Sequence, residues 1–179
     1  MKNTAKIYGA ALYDLAKEEN LEVPILKDLL PIRQAFIDFP DYRRMLASPG
    51  IPKEERHKLV DDAWGGKVNQ YTINFMKLLI DKELISFFNE CGKEYHKLYN
   101  VNHGIVQVKV ISAVPLSEEQ TAQLSEKLAN YLGKRIEIKP IIKPNIKGGI
   151  RLDIGGKQFD GSVGSHLSEL KKYLEDRKL

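Results

Sequence analysis

His103-Gly104-Ile105-Val106-Gln107-Val108-Lys109-Val110-Ile111 decides the fold. Before Gly104 the apolar residues recur every three to four positions. After it, Val106, Val108 and Val110 alternate with Gln107 and Lys109. The first spacing lines one side of a helix and the second lines one side of a strand. The chain therefore changes architecture near residue 102, with no Ser- or Gly-rich linker at the change.

Working back from that point, residues 1–102 read as helices joined by short breaks. Ile7, Ala10, Ala11 and Leu15 mark a first helix, with Asn3 as its expected cap. Leu26, Leu29, Leu30, Arg33, Phe36 and Ile37 continue the pattern. Pro24 suits a first turn, and Pro31 predicts a kink or break. Pro40-Asp41 opens a short piece through Leu46, and Ser48-Pro49-Gly50 stops it. Glu54 and Glu55 favour a helix start, with Leu59, Val60, Ala63 and Trp64 as its expected buried side. One more helix runs from Asn69 to Ile80, and a last one carries Ile85, Phe88, Cys91 or Gly92, Tyr95, and Leu98 or Tyr99. Five or six such helices predict an antiparallel, all-α bundle.

Working forward, Ser117-Glu118-Glu119-Gln120 is a capping box opening a helix with Leu124, Leu128 and Leu132, ended by Gly133. Ile136 and Ile138 mark a second strand, where Pro140 predicts a sheet edge. Ile150, Leu152 and Ile154 mark a third, and Gly155-Gly156 a tight hairpin into a short fourth. Asp160-Gly161-Ser162 then starts a final helix with Val163, Leu167, Leu170 and Leu174. Residues 103–179 thus predict a small α+β domain of order β-α-β-β-β-α.

No apolar run approaches the roughly 20 residues that span a bilayer. The N-terminus meets Asp14 and Lys17-Glu18-Glu19 too early for a signal or transit peptide, which predicts a cytoplasmic chain, most simply bacterial. A lone cysteine, Cys91, excludes an internal disulfide. The formal net charge is +4. Residues 1–103 hold fifteen basic and fifteen acidic side chains, whereas residues 104–179 hold thirteen basic and nine acidic. Lys139, Lys143, Lys147, Arg151 and Lys157 concentrate the excess, a basic patch suited to an acidic partner, to nucleic acid, or simply to water.

Enzyme chemistry finds no foothold. His57, His96, His103 and His166 lack metal-ligand spacing with one another or with Cys91, so neither metal nor cofactor is expected. Gly155-Gly156-Lys157-Gln158 has no hydroxyl after its lysine and opens a strand, so the phosphate-loop and dinucleotide readings fail. Asp61-Asp62 reads as a solvated face. A basic RNA-binding α+β protein with a helical appendage is the rival reading. It wants exposed aromatics on the sheet, and only Phe159 lies near.

Six segments in order and spacing then resemble one family. They are Tyr8-Gly9-Ala10-Ala11-Leu12-Tyr13, Leu46-Ala47-Ser48-Pro49 with Ile51-Pro52-Lys53-Glu54-Glu55, and Asn74-Phe75-Met76-Lys77-Leu78-Leu79-Ile80. Ser112-Ala113-Val114-Pro115-Leu116-Ser117, Ile146-Lys147-Gly148-Gly149-Ile150 and Asp160-Gly161-Ser162-Val163 complete the set. Over nearly its whole length the chain resembles the delta subunit of the bacterial F-type ATP synthase, homologous to the mitochondrial oligomycin-sensitivity-conferring protein. Lys147, Gly164 and Asp81-Lys82-Glu83-Leu84 depart from the usual pattern.

The resemblance implies a non-catalytic stator subunit at the cytoplasmic face of the bacterial membrane, with no insertion into it. It implies that the helical domain caps the catalytic head and grips N-terminal helices of the alpha subunits, in a groove lined by Tyr8, Ala11, Leu12, Leu15, Phe75, Leu78 and Leu79. The C-terminal domain would hold the C-terminal helices of the b subunits, helped by the basic patch. Gly148, Gly149, Asp160, Gly161 and Ser162 would be structural motif residues, and nucleic acid would not be a partner.

Overall fold

The structure, a computed structural model, describes residues 2–145 and 149–160. The chain divides into two compact units, Met1–Tyr99 and Asn100–Leu179.

The first unit is helical. Its helices are α1 (Lys2–Glu18), α2 (Glu22–Asp38), α3 (Pro40–Ala47), α4 (Lys53–Trp64) and α5 (Gln70–Asp81). A single 3-10 turn, Ile85–Phe87, leads into α6 (Phe88–Asn102), whose last turn belongs to the second unit. An aromatic chain crosses the core: Phe36 of α2 lies 5.3 Å from Phe88 of α6, which lies 6.2 Å from Phe75 of α5. The start of α5 is pinned. Asn69 accepts from the Tyr71 N–H with its side chain, and Asp28 Oδ2 on α2 accepts from the Asn69 N–H at 2.7 Å and the Thr72 hydroxyl at 3.1 Å. These bonds satisfy donors that a helix start leaves open.

Several expectations shift by a fraction of a turn. Asn3 is not a cap, because α1 already starts at Lys2. The buried side of α1 is Ala5, Leu12, Tyr13 and Ala16, while Ile7 and Ala11 are exposed. Helix α2 runs unbroken through Pro31. Pro31 and Lys27 are both exposed, so solvent can serve the carbonyl that loses its donor. The buried residues of α2 are Ile25, Leu29, Ile32 and Phe36, leaving Leu30 and Ile37 in solvent. On α4, Val60 is buried as expected, Leu59, Ala63 and Trp64 are only half-buried, and Arg56 is buried too. Arg56 donates from Nη1 to the Leu46 carbonyl at 3.3 Å and so caps the end of α3.

The second unit contains β1 (Ile105–Ser112), α7 (Glu118–Leu132), β2 (Arg135–Ile142), β3 (Ile150–Ile154) and β4 (Lys157–Asp160). The sheet order is β2-β1-β3-β4. Strands β1 and β2 are parallel, joined through α7; β1–β3 and β3–β4 are antiparallel. A parallel pair needs such a crossover. The Ser117–Gln120 capping box is present at the start of α7. Val106, Val108, Val110, Leu124, Leu128, Leu152, Ile154 and Phe159 form one core between α7 and one sheet face. Pro140 lies in β2 at the sheet edge, where the sequence places it and where proline is tolerated. Gly155 and Gly156, at φ 59° and 91°, make the two-residue turn that pairs Ile154 with Lys157. The final helix expected after Asp160 lies outside the described residues.

Candidate partner-docking site

Helix α1 is seated on α6 by a glycine. A Cβ on Gly9 would stand 2.5 Å from the Cys91 carbonyl oxygen, so only glycine permits this approach. One turn along, the Tyr13 and Tyr95 rings meet edge to face at 5.4 Å. Tyr13 donates to Glu22 Oε1 at 3.0 Å and Tyr95 donates to the Glu22 carbonyl at 2.9 Å, tying α1, α2 and α6 together. Burial, aided by the bond to Glu22, pushes the Tyr13 hydroxyl up to about 12. Helices α1 and α6 run side by side in the same direction, since Gly9 matches Cys91 and Tyr13 matches Tyr95.

A second side of α1 faces α5. Tyr8, Leu12, Leu15 and Glu19 recur at i, i+4, i+7 and i+11, one line along a helix. Glu19, just past the end of α1, stands near the Tyr71 hydroxyl, and its negative charge raises that hydroxyl's pKa. Tyr71 is in the first turn of α5. Phe75, one turn further, packs on Phe88, one turn before the Cys91 that meets Gly9.

Of the seven residues expected in the groove, Leu12, Phe75 and Leu79 face the core, at 3%, 6% and 0% exposure. Tyr8 is half-buried, and Ala11, Leu15 and Leu78 reach solvent, Leu15 at 37% and Leu78 at 42%. Ile7, at 61%, extends the same apolar surface. The helical period alone puts Ile7 with the core. The clue to its real place is that Ile7, Ala11 and Leu15 form a line separate from Ala5, Leu12 and Ala16. Ile7, Ala11 and Leu15 thus form an exposed apolar strip on α1, and Leu78 is an exposed apolar residue on α5.

The basic set is only partly assembled. Lys139, on edge strand β2, and Lys143, just past it, are exposed and make no ion pair with a described residue. Arg135, exposed on the same side of β2 as Lys139, joins them. Arg151 on β3 is half-buried and pairs in register with Ile111. Lys109, beside Lys139 in the register, lies 3.8 Å from Asp153. Glu137 is drawn inward by Asn100 and Gln107, at 2.9 and 3.2 Å. Lys147, Gly148, Gly161 and Ser162, and the side chains of Lys157 and Asp160, lie outside the described residues. Gly149 has φ 82°, the left-handed region that favours glycine.

Nothing assembled by the described residues performs bond chemistry. Burial pushes the Cys91 thiol up to about 11, the opposite of a nucleophile's shift. No three His, Cys, Asp or Glu residues converge on a metal-sized site among the described residues. His57 Nε2 lies 3.0 Å from Asp81 Oδ1 and Lys77 pairs with Asp61 at 2.7 Å, both clasping α4 to α5. Phe159 is buried in the core, so the described strands offer no stacking platform for bases.

The profile of the ATP synthase delta (OSCP) subunit matches residues 4–174. The chain belongs to the ATP synthase delta (OSCP) family. ATP synthase subunit delta of Clostridioides difficile is 31% identical over 173 residues, covering 96% of both chains. That of Bacillus licheniformis is 30% identical over 177 residues, covering 97% of this chain and 96% of the other. A chain of the Toxoplasma gondii mitochondrial ATP synthase hexamer, seen by cryo-electron microscopy, shares the fold with a TM-score of 0.71 at 19% identity, over 96% of this chain and 97% of that one. A member of the delta (OSCP) family is a stator component, part of the peripheral stalk, and not an enzyme. Among the described residues of this delta-family chain, no helix is long and apolar enough to cross a membrane. Its association with the complex is peripheral.

Proposed function

We propose that the strip between α1 and α5 receives N-terminal helices of the alpha subunits, and that the second unit holds the C-terminal helices of the b subunits. In this reading residues 1–102 cap the catalytic head and residues 103–179 grip the stalk at the cytoplasmic face of the bacterial membrane. The head is then kept from turning with the rotor while protons drive it. The observation that carries the reading is the exposed line Ile7, Ala11 and Leu15 on α1, with Leu78 likewise exposed on α5. An amphipathic helix lays apolar anchors at i, i+3, i+4 and i+7 into such a groove.

A stator joint must resist torque and so needs slow dissociation. Each tenfold in affinity is about 1.4 kcal/mol. Apolar burial supplies this better than exposed ion pairs, worth about 0–1 kcal/mol each. Lys139 and Lys143 would guide an acidic stalk helix and set specificity more than strength. Calorimetric titration of the full chain with a synthetic alpha N-terminal segment tests the first half. Binding should persist from low to moderate salt, and an absence of binding at every salt concentration would end the reading.

A further inference from the structure

Strand β2 ends the sheet. Its neighbour among the described strands is β1, so one long side of β2 carries backbone groups that no described strand takes up. In a parallel pair, alternate residues of a strand turn both N–H and C=O toward the same neighbour. The Lys143 N–H donates to the Ser112 carbonyl at 2.8 Å, and the register is unbroken from Ile105 with Arg135 to Ser112 with Ile142. Odd-numbered residues of β2 therefore turn to β1, and Ile136, Ile138, Pro140 and Ile142 turn outward. The outer side offers the N–H groups of Ile136, Ile138 and Ile142 and the carbonyls of all four, and it lacks a donor at Pro140. Its two flanks differ. Ile136 and Ile138 pack half-buried against the core under α7, and Ile142, in the same phase, is 53% exposed. On the opposite face Arg135 and Lys139 are exposed, and exposed Lys143 follows the strand; none of them has an ion pair to a described residue. Glu137, the carboxylate between Arg135 and Lys139, is held by Asn100 and Gln107.

Charge and proline on an edge keep it from pairing indiscriminately. Here they also define what the edge accepts. We propose that the outer side of β2 receives an extended acidic segment of a partner chain as an added strand. Such a segment alternates carboxylates, opposite Arg135, Lys139 and Lys143, with apolar side chains beside Ile138 and Ile142. Main-chain hydrogen bonds supply the affinity, and the cations select the charge. This mode goes beyond the helix docking above and is independent of it, because a helix has already spent its backbone donors and acceptors on itself. A second copy of this chain fits worse, since its own edge would bring Arg135, Lys139 and Lys143 against the same cations.

Amide exchange followed by NMR on the full chain tests this with a synthetic peptide, as long as β2, of alternating glutamate and valine. At saturation the Ile136, Ile138 and Ile142 amides should exchange at least about tenfold more slowly. A lysine–valine peptide and an acidic, alanine-rich helical peptide should leave them unchanged. No slowing by the glutamate–valine peptide, or equal slowing by either control, overturns the inference. So does slow exchange of these amides in the free chain, which would mean that the chain itself already covers the edge or, where protection rises with protein concentration, that a second copy does. Pro140→Thr, at an exposed position, supplies the missing donor. It should tighten peptide binding by about twofold to tenfold, the worth of one hydrogen bond, and Ile142→Pro should loosen it by a similar factor. Lys139→Gln should weaken binding at low salt and have no effect at high salt. Affinity indifferent to both backbone substitutions in folded variants would reduce the contact to charge alone and overturn the added strand. Failure of helix docking on either unit would leave these results unchanged.

Discussion

Helix α1 of the first unit buries Ala5, Leu12, Tyr13 and Ala16 yet leaves Ile7, Ala11 and Leu15 to solvent. Strand β2 of the second unit half-buries Ile136 and Ile138 against its core and leaves Arg135 and Lys139 exposed. Both elements satisfy a core on one side, but their remainders differ: apolar surface on the bundle, and on the sheet edge positive charge without an ion pair to a described residue. Apolar surface gains free energy from any matching shape and holds strongly. Exposed charge gains little, is screened by salt, and discriminates between partners. The bundle is therefore the part suited to hold, and the sheet edge the part suited to choose.

The largest effects should separate core from strip within a single helix. Leu79→Ala, at a fully buried site, should cost about 2–5 kcal/mol in chemical denaturation. Its neighbour Leu78→Ala should stay within about 0.5 kcal/mol while weakening capture of the alpha segment. Equal destabilisation by the two changes would show that Leu78 is core and that the strip ends at α1. Ala11→Asp places a charge in the middle of the strip. It should cost at least about tenfold in affinity, because a carboxylate buried without a partner is strongly unfavourable. Circular dichroism should show the bundle intact, and undiminished binding by that folded variant would remove Ala11 from the contact.

The same contrast governs how much could be read from the chain alone. The described strands of the second unit were legible because strand alternation has one phase: once Val106, Val108 and Val110 face inward, Gln107 and Lys109 cannot. The capping box at Ser117 and the hairpin at Gly155-Gly156 punctuate it unambiguously. Helices tolerate more. A helix with two apolar sides, such as α1 or α2, has one pattern for its own core and another for a partner, and composition does not label which is which. Ile7, Leu30 and Ile37 therefore read as core and proved exposed. Arg56 was invisible because nothing in the sequence shows that α3 ends against α4, where a buried guanidinium can reach the Leu46 carbonyl. The close seat of Gly9 on Cys91 depends in the same way on the meeting of two distant helices.

Two changes probe each unit's own stability. Gly149→Val should destabilise the second unit by about 1–3 kcal/mol, since a β-branched residue at φ 82° is strained. A melting curve unchanged for that unit would show that the turn relaxes. The bundle should be the alkali-sensitive part. A Tyr13 hydroxyl raised from 10.0 to about 12 keeps its proton in the folded state after the unfolded chain has lost it. That stabilisation is complete below pH 10 and fades as pH rises toward 12. Tyr95, raised by burial, acts in the same sense. Tyr13→Phe should flatten the decline over that interval, and hydrogen exchange should place the loss in α1 and α6. A slope identical to that of the unaltered chain would mean that Tyr13 ionises outside the cooperative unit.

The smallest effect sharpens the comparison most. Lys139→Glu with Lys143→Glu reverses two exposed charges that carry no described ion pair, so stability should move by no more than about 0.5 kcal/mol. Affinity for a peptide copied from the C-terminal helix of the b subunits should fall severalfold at low salt, and the two proteins should converge as salt rises and screening shortens the reach of each charge. Affinity for the alpha segment should not change. If the reversal instead weakened binding of the stalk peptide equally at all salt concentrations, the lysines would be making close, desolvated contacts. The second unit would then hold its partner as the bundle does, and the division between a part that grips and a part that selects would fail.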